Sequence, residues 1–291
     1  MHKFLNAVGF SNITKKELEE LIHEIVDHPQ MIKVTKDSEG NEFAELSKEF
    51  SQNIGIMVRG NYEEDDQFHL EYYYPYFFGT SVSTQEEIEV QKHAEKESYA
   101  GVCDDVRFGV TLIFYLQNVA DYLSELNRRD RKTNLFGAVL SGLAYEGKIL
   151  LPIEHKFEKE RRGGHNSIER NQLLVKAREG NEEAIESLTM EDMDIYTTLS
   201  KRVMNEDVLS IVQSCFMPYG IESDQYSIIA EILDYVIEEN KISKERIICM
   251  KLLCNDMVFD VCINEKDLMG EPEVGRRFKG NVWMQGSVCI G

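Results

Sequence analysis

Apolar residues follow two different periods along this chain, and each period predicts a different kind of element. Thr14 and Glu17 have the spacing of a capping box, and the apolar residues after them recur every three or four positions up to Pro29. This pattern predicts an amphipathic helix. Residues 31–78 instead show short alternating runs separated by turn residues, the last run being the aromatic segment 68–78. One helix followed by a meander of strands predicts a mixed α/β N-terminal domain with a largely antiparallel sheet.

The rest of the N-terminal half contains weaker signals. The highly charged residues 85–98 have few apolar anchors and predict a surface helix or a loop. After them we expect a buried strand over 106–116, a helix over 118–126, and a β-pair formed by 136–143 and 148–153. The two strands of that pair are joined through Tyr145, Glu146 and Gly147. The first domain is therefore predicted to span residues 1–155.

Residues 156–166 are charged and mixed in sign, which is typical of an exposed linker. They begin a predicted helical connector over 156–205, with helices at 168–179 and 182–188 and a third that opens near Thr189. After residue 207 the pattern returns to strands, at 208–217, 226–237, 247–254, 257–263 and 278–290. The segment 226–237 fits both periods, and a strand is favoured because its neighbours are strands.

Asn255 and Asp256 separate two of these strands and predict a tight hairpin. About five strands with little helix predict a small β-barrel domain over 206–291, for which an OB-like barrel is one candidate. The predicted fold class is therefore α+β, with an N-terminal mixed domain, a helical connector and a C-terminal small barrel.

The charge of the chain narrows the choice of partners. It has 52 acidic and 32 basic residues among 291, a formal net charge of -20. Such a chain repels nucleic acid and anionic membranes. Its start does not have the apolar stretch of a signal peptide, and its longest apolar run is far below the roughly 20 residues of a membrane helix. We therefore expect a cytoplasmic protein without a membrane partner, whose six cysteines are reduced thiols.

Motifs for cofactors and metals are incomplete. Residues 142–149 approach a phosphate-binding loop but have Ile149 where the motif needs serine or threonine. His23 and His28 approach a zinc helix, but the second histidine is one position too late. The four cysteines of the C-terminal segment are not paired as CxxC and are predicted to be buried thiols. We therefore expect neither a cofactor nor a metal.

Two segments supply the candidate binding residues. In the aromatic segment the candidates are Tyr72, Tyr74 and Tyr76, because alternate side chains of a strand point to opposite faces. Some of these rings therefore face solvent or a partner, unless a second layer covers them. The other segment is basic and enters the last strand. It comprises Arg276, Arg277, Phe278 and Lys279, for which an ion pair with Glu271 or Glu273 is the structural alternative.

The function predicted from these features is that of a non-enzymatic binding or adaptor protein with a protein partner, which includes self-association. One alternative is a metal-assisted hydrolase that uses clustered carboxylates with His23 or His69. Its candidate acids are Asp104, Asp105, Asp192 and Asp194. The second alternative is single-stranded nucleic-acid binding by the barrel, against which the net charge argues. No catalytic residue is assigned, and the balance is against an enzyme.

Several stretches together resemble an uncharacterised family of bacterial proteins from clostridial Firmicutes. The resemblance extends along the whole chain and rests on residues 1–12, 99–103, 112–118, 147–152, 181–188, 216–221 and 274–280 with Trp283. It implies a bacterial cytoplasmic protein with one architecture throughout the family. It implies no activity and therefore no catalytic residues.

Overall fold

The protein is described by a computed structural model that is mostly β with few helices. The structure describes residues 1–37, 39–62, 67–93, 98–105, 107, 110–128, 135–153, 167–190, 193, 208–221 and 223–290. Most of its strand pairs are antiparallel. The predicted mixture of helices with a largely antiparallel sheet is therefore confirmed.

The N-terminal segment forms a 3-10 helix, Lys3–Val8, and then helix α1, Lys15–Asp27. The predicted capping box is present, because Thr14 and Glu17 bond to each other's backbone at the start of α1. One face of α1 is buried, with Ile25 fully covered. The helix packs on the first sheet, since an apolar stripe must be covered by another layer.

The first sheet is the predicted meander. It consists of β1 (Met31–Lys36), β2 (Glu42–Ser51), β3 (Ile54–Tyr62) and β4 (Phe68–Phe77) in that order. All three pairings are antiparallel. One face of this sheet meets α1, and the opposite face packs on a second, larger sheet.

The second sheet contains ten strands. They are β5 (Thr84–His93), β6 (Ser98–Cys103), β7 (Leu112–Leu116), β8 (Leu135–Leu150), β9 (Cys215–Pro218), β10 (Gln225–Glu239), β11 (Arg246–Cys254), β12 (Met257–Asn264), β13 (Leu268–Met269) and β14 (Arg277–Val288). The other described helices are α2 (Val119–Arg128), α3 (Ser167–Arg178), the segment 182–190 and the short α4 (Val208–Ile211).

Pairings in the larger sheet form a ring. β8 pairs with β14, β14 with β10, β10 with β11, β11 with β12, and β12 returns to β8 as a parallel pair. β5, β6 and β7 also connect β8 to β14. Strands from both halves of the chain therefore share one sheet. The division into domains at residues 155 and 205 stays a prediction.

Of the strand predicted over 106–116, only Leu112–Leu116 is present among the described residues. Three further segments differ from the sequence-based predictions. The predicted surface helix or loop at 85–98 is wrong, because Thr84–His93 is a strand whose Ile88 is buried while charged side chains alternate with it. The predicted β-pair within 136–153 is also wrong, because one strand, Leu135–Leu150, spans it. Gly147 serves close packing there rather than a turn, since a Cβ at this position would lie 2.4 Å from the ring of Phe278.

The third difference is at 208–217, where a short helix and the strand Cys215–Pro218 replace the predicted single strand. The other predicted C-terminal strands are present. The ambiguous segment 226–237 lies in the strand Gln225–Glu239. The hairpin turn has φ angles of 48° at Asn255 and 62° at Asp256, which fit a two-residue turn of type I′.

Candidate functional site

A cleft of about 250 Å³ opens where the two sheets meet. The turn between β2 and β3 forms one side, and strands β10, β11 and β12 form the other. Phe77 and Met250 give the cleft apolar surface, while Asp234, Lys251 and Asp260 give it charge. The lining is therefore a mixture of apolar and polar side chains, with several charged groups converging on one small space.

The three charged residues form a row across the strands. Asp234 is the cross-strand partner of Lys251, and Lys251 is the cross-strand partner of Asp260. A bulge between Ile232 and Asp234 interrupts the register of β10 just before this row. Lys251 is half-buried, and within the described part of the chain its ammonium forms no ion pair. The row therefore presents one cation between two anions at the edge of the cleft.

The first sheet holds the acidic groups of the cleft in place. Asp260 is only 5% exposed, and its Oδ2 accepts hydrogen bonds from the backbone N–H of Thr80 at 2.6 Å and from its hydroxyl at 2.8 Å. Glu238 accepts a hydrogen bond from Ser51 at 2.7 Å. These bonds, to the loop after β4 and to the last residue of β2, hold the two carboxylates in place.

A thiol lines the same cleft. Cys249 lies directly opposite Cys262 on the neighbouring strand, and both side chains are buried. Burial raises the pKa of the Cys249 thiol, and the negative charges of Glu238 and Asp260 add to that effect. The thiol is therefore protonated at neutral pH and is not equipped to act as a nucleophile or a metal ligand.

The predicted aromatic residues take inward positions. Tyr74 and Tyr76 are 2% and 1% exposed, so burial removes both from surface contact, and Tyr72 is half-buried. Tyr72 and Tyr74 surround the guanidinium of Arg59, with ring centroids 5.9 Å and 4.8 Å from its central carbon. Tyr115 completes the aromatic cage at 5.5 Å. The second layer that covers these rings is the larger sheet.

The sequence-based predictions did not include Arg59, although it is the largest fully buried side chain. Its NH2 lies 2.6 Å from Glu45 Oε1 and donates to the carbonyls of Leu116 and Gln117. Burial raises the pKa of Glu45, and Arg59 opposes that rise. A signal was available for Arg59, because it is the single charge in the apolar run of β3. Glu45 gives no such signal, because β2 contains three other charged residues.

The four residues of the predicted basic segment lie in four different environments. Phe278 is fully buried inside the ring of strands, and Arg277 is 4% exposed. Arg277 donates to the carbonyls of Leu151 and Val212. Arg276 forms the structural alternative, an ion pair with Glu273 at 2.5 Å. Lys279 stays partly exposed beside Lys148.

The residues of the predicted hydrolase do not converge where the structure describes them. His23 is exposed on α1, and His69 is exposed on β4. Asp105 is buried and binds Arg107 and Thr84. Asp192 and Asp194 lie outside the described residues. Among the residues that are described, there is no group of three side chains arranged to hold a metal ion.

None of the helices within the described ranges is both long enough and apolar enough to cross a bilayer. The fold and the cleft together define a β-rich α+β protein with a small cleft between its sheets. Residues 5–286 match the family described as "Domain of unknown function, E. rectale Gene description (DUF3881)". The chain belongs to this family, which confirms the resemblance to an uncharacterised clostridial family. Comparison with curated proteins gives no match, and comparison with solved structures gives none.

Proposed function

We propose that this protein is a non-enzymatic binding protein whose ligand is a small zwitterion held in the cleft between the sheets. The observation that carries the proposal is the placement of Lys251 between Asp234 and Asp260 with no ion pair formed by the described residues. The two cross-strand neighbours of Lys251 are acids, but neither carboxylate lies within ion-pair distance of its ammonium. Its ammonium is instead left available for an anionic group.

The spacing between the charged residues of the row favours a ligand that carries both a positive and a negative charge. Neighbouring strands lie about 4.8 Å apart, so the ammonium of Lys251 and the carboxylates beside it present opposite charges within reach of one small molecule. An α-amino acid places its carboxylate and its ammonium on one carbon atom. Its carboxylate binds Lys251, and its ammonium binds Asp260, which is held by Thr80.

We also propose that the ring of strands is a small β-barrel related to the OB-fold by circular permutation. The strands follow one another around the ring in the order β10, β11, β12, β8 and β14. They correspond, in the same order, to strands one, two, three, five and four of an OB-fold. The parallel pair of the ring, β12 with β8, takes the place of strands three and five. OB-folds bind ligands on the face of strands two and three, which by this analogy are β11 and β12 beside the cleft.

Binding of amino acids to purified protein tests the proposed function. Thermal unfolding is measured with each of the common amino acids, and calorimetry follows for those that stabilise. We expect at least one amino acid to bind, and its decarboxylated amine and its deaminated acid to bind more weakly. Lys251→Met weakens binding about tenfold, since charge-assisted hydrogen bonds contribute about 1.5 to 3 kcal/mol.

Lys15→Met is the matched control, because this lysine is 85% exposed on α1 and pairs only with Glu19. It leaves amino-acid binding unchanged. Absence of any amino-acid response in the wild type, or an equal response in Lys251→Met, would exclude the zwitterion site.

Self-association is a second candidate, and three exposed apolar side chains on one face of the first sheet favour it. Ile32, Val34 and Leu70 are 54%, 50% and 46% exposed. Val34 and Leu70 lie in one row across the four strands, and Ile32 lies in the next. Light scattering after gel filtration tests this role. A dimer that Val34→Glu converts to a monomer supports it, and a monomeric wild type at high concentration excludes it.

Six free cysteines support a reducing compartment, and we propose the cytoplasm. Fractionation of host cells with an antibody against the protein tests this location. Recovery in the soluble fraction released after removal of the cell envelope is the expected result.

A further inference from the structure

Two lysines face each other on the outer side of the larger sheet. Lys148 of β8 and Lys279 of β14 are direct cross-strand partners in an antiparallel pair. Both side chains are half-buried. Like charges placed directly opposite each other destabilise a sheet, and in this position they have no structural benefit.

In a chain with so many acidic residues, the lack of an ion pair at Lys148 and Lys279 is unexpected. The chain has 52 acidic residues, so we expect an acid to pair with each lysine. None of the residues that the structure describes forms an ion pair with Lys148 or Lys279. The nearest acid along β8, Glu146, accepts a hydrogen bond from Asn281 at 2.9 Å. Its carboxylate is therefore held beside the lysines by another partner.

A third cation extends the positive surface. Arg277 is two residues before Lys279 on β14, so its side chain starts from the same face of the strand. Its guanidinium donates to the carbonyls of Leu151 and Val212, and among the described residues it forms no ion pair, although Glu231 is its cross-strand partner on β10. Cys215 lies two strands from Lys279 in the same row. Burial raises the pKa of its thiol, and the charge of Lys279 opposes that rise, so the ammonium acts across the sheet.

We propose that Lys148 and Lys279 form an anion site that binds a phosphate group. Two ammonium groups on adjacent strands approach one tetrahedral dianion from two sides and donate charge-assisted hydrogen bonds to separate oxygens. Arg277 contributes long-range attraction only, because its donors are already used. The dianion removes the repulsion between the lysines, so binding and folding stabilise each other.

The first measurement is phosphate binding to the full chain at constant ionic strength. Inorganic phosphate replaces sodium chloride in steps, and thermal unfolding and calorimetry are followed together. Wild-type protein is expected to bind phosphate and to unfold at a higher temperature with it than with chloride. Glycerol 3-phosphate, measured in parallel, distinguishes a free phosphate from a phosphate monoester, since additional contacts make the true ligand bind more tightly.

Variants that keep the length of the side chain make the test specific. Lys148→Met and Lys279→Met retain most of the apolar stem that covers the sheet. Each is expected to weaken phosphate binding about tenfold. Without phosphate, each is expected to unfold at a higher temperature than the wild type, because the repulsion is gone. A merely structural lysine would give the opposite shift. Lys279→Arg keeps the charge and keeps binding.

Lys15→Met, at an exposed lysine of α1 that pairs with Glu19, is the control and leaves phosphate binding unchanged. A phosphate response of the wild type no larger than that to chloride overturns the proposal, as does a response that persists in both methionine variants. Binding of oligo(dT) without binding of phosphate also overturns it, and points instead to a single-strand surface on this face.

Discussion

Arg277 donates two hydrogen bonds to the carbonyl of Leu151, from Nε at 3.0 Å and from NH2 at 2.7 Å. The other terminal nitrogen of the same guanidinium donates to the carbonyl of Val212. One side chain on the last strand therefore joins two points of the chain on either side of the predicted connector. The sequence suggested Arg277 as a contact for a partner, but in the structure it connects these two segments. We call its three hydrogen bonds the Arg277 clasp.

Loss of this clasp is the first prediction. Arg277→Met removes the donor to both carbonyls, and a hydrogen bond from a charged group contributes about 1.5 to 3 kcal/mol. Hydrogen exchange should increase in peptides that contain Leu151 and Val212 and stay unchanged in β11. Arg276→Met, which removes a surface ion pair, is the control and changes neither. Equal exchange in both variants would mean that the clasp does not hold these segments.

The buried pair of Arg59 and Glu45 gives the second prediction. Both side chains are nearly inaccessible, at 0% and 2% exposure. Arg59→Leu leaves Glu45 buried without a counter-charge, which costs about 3 to 5 kcal/mol. Urea unfolding should show this loss in the midpoint.

The double variant Arg59→Leu with Glu45→Leu removes both charges together. It is expected to be more stable than Arg59→Leu alone, because no uncompensated charge remains. Lys16→Ala on α1 breaks an exposed pair with Glu20 and should change stability by less than about 0.5 kcal/mol. A double variant as unstable as the single one would assign the loss to packing of the tyrosine cage.

Thiol reactivity provides the third prediction. Burial raises the pKa of Cys103 to about 11 and that of Cys254 to about 12. Cys249 and Cys262 are also buried, with raised pKa values. Ellman's reagent on native protein should therefore modify only the half-buried Cys215 and Cys289 within minutes.

The remaining thiols should react only after denaturation. The same shifts make stability fall above pH 9. Unfolded thiols lose their protons near the ordinary value of 9.0, and the folded ones keep theirs until higher pH. Rapid modification of four or more thiols in the native protein would contradict this prediction.

Asp105 gives the fourth prediction, on acid stability. Burial alone favours the neutral acid, but hydrogen bonds from Arg107 and Thr84 outweigh it and lower the pKa of Asp105 below 3.8. A lowered pKa contributes stability above the unfolded value of 3.8 that is lost as the pH falls through the folded value. Asp105→Asn should therefore be less stable at pH 7 and should show a smaller further loss between pH 5 and pH 2. Parallel pH profiles of wild type and variant would refute this role.

Local signals in the sequence were sufficient for several elements. The capping box at Thr14, the strand meander of the first sheet and the turn at Asn255 and Asp256 all appear as predicted. Each depends on neighbours within a few residues, so periodicity and turn chemistry determine it. The strand at 84–93 was missed because its charged residues hide the alternation around Ile88, and only pairing with β6 and β8 stabilises it.

The sites required contacts between distant parts of the chain. Nothing in the sequence distinguishes the charged residues of the cleft, Asp234, Lys251 and Asp260, from other acids and lysines. The register of β10, β11 and β12 places them in one row. Lys148 and Lys279 are separated by 131 residues but face each other because β8 pairs with β14. The sequence by itself determined the class of the protein, its acidity and the elements set by local periodicity. Only the tertiary structure decided which charged side chains are buried, paired or left available. These states depend on strand register, because a shift of one residue turns every side chain of a strand to the other face.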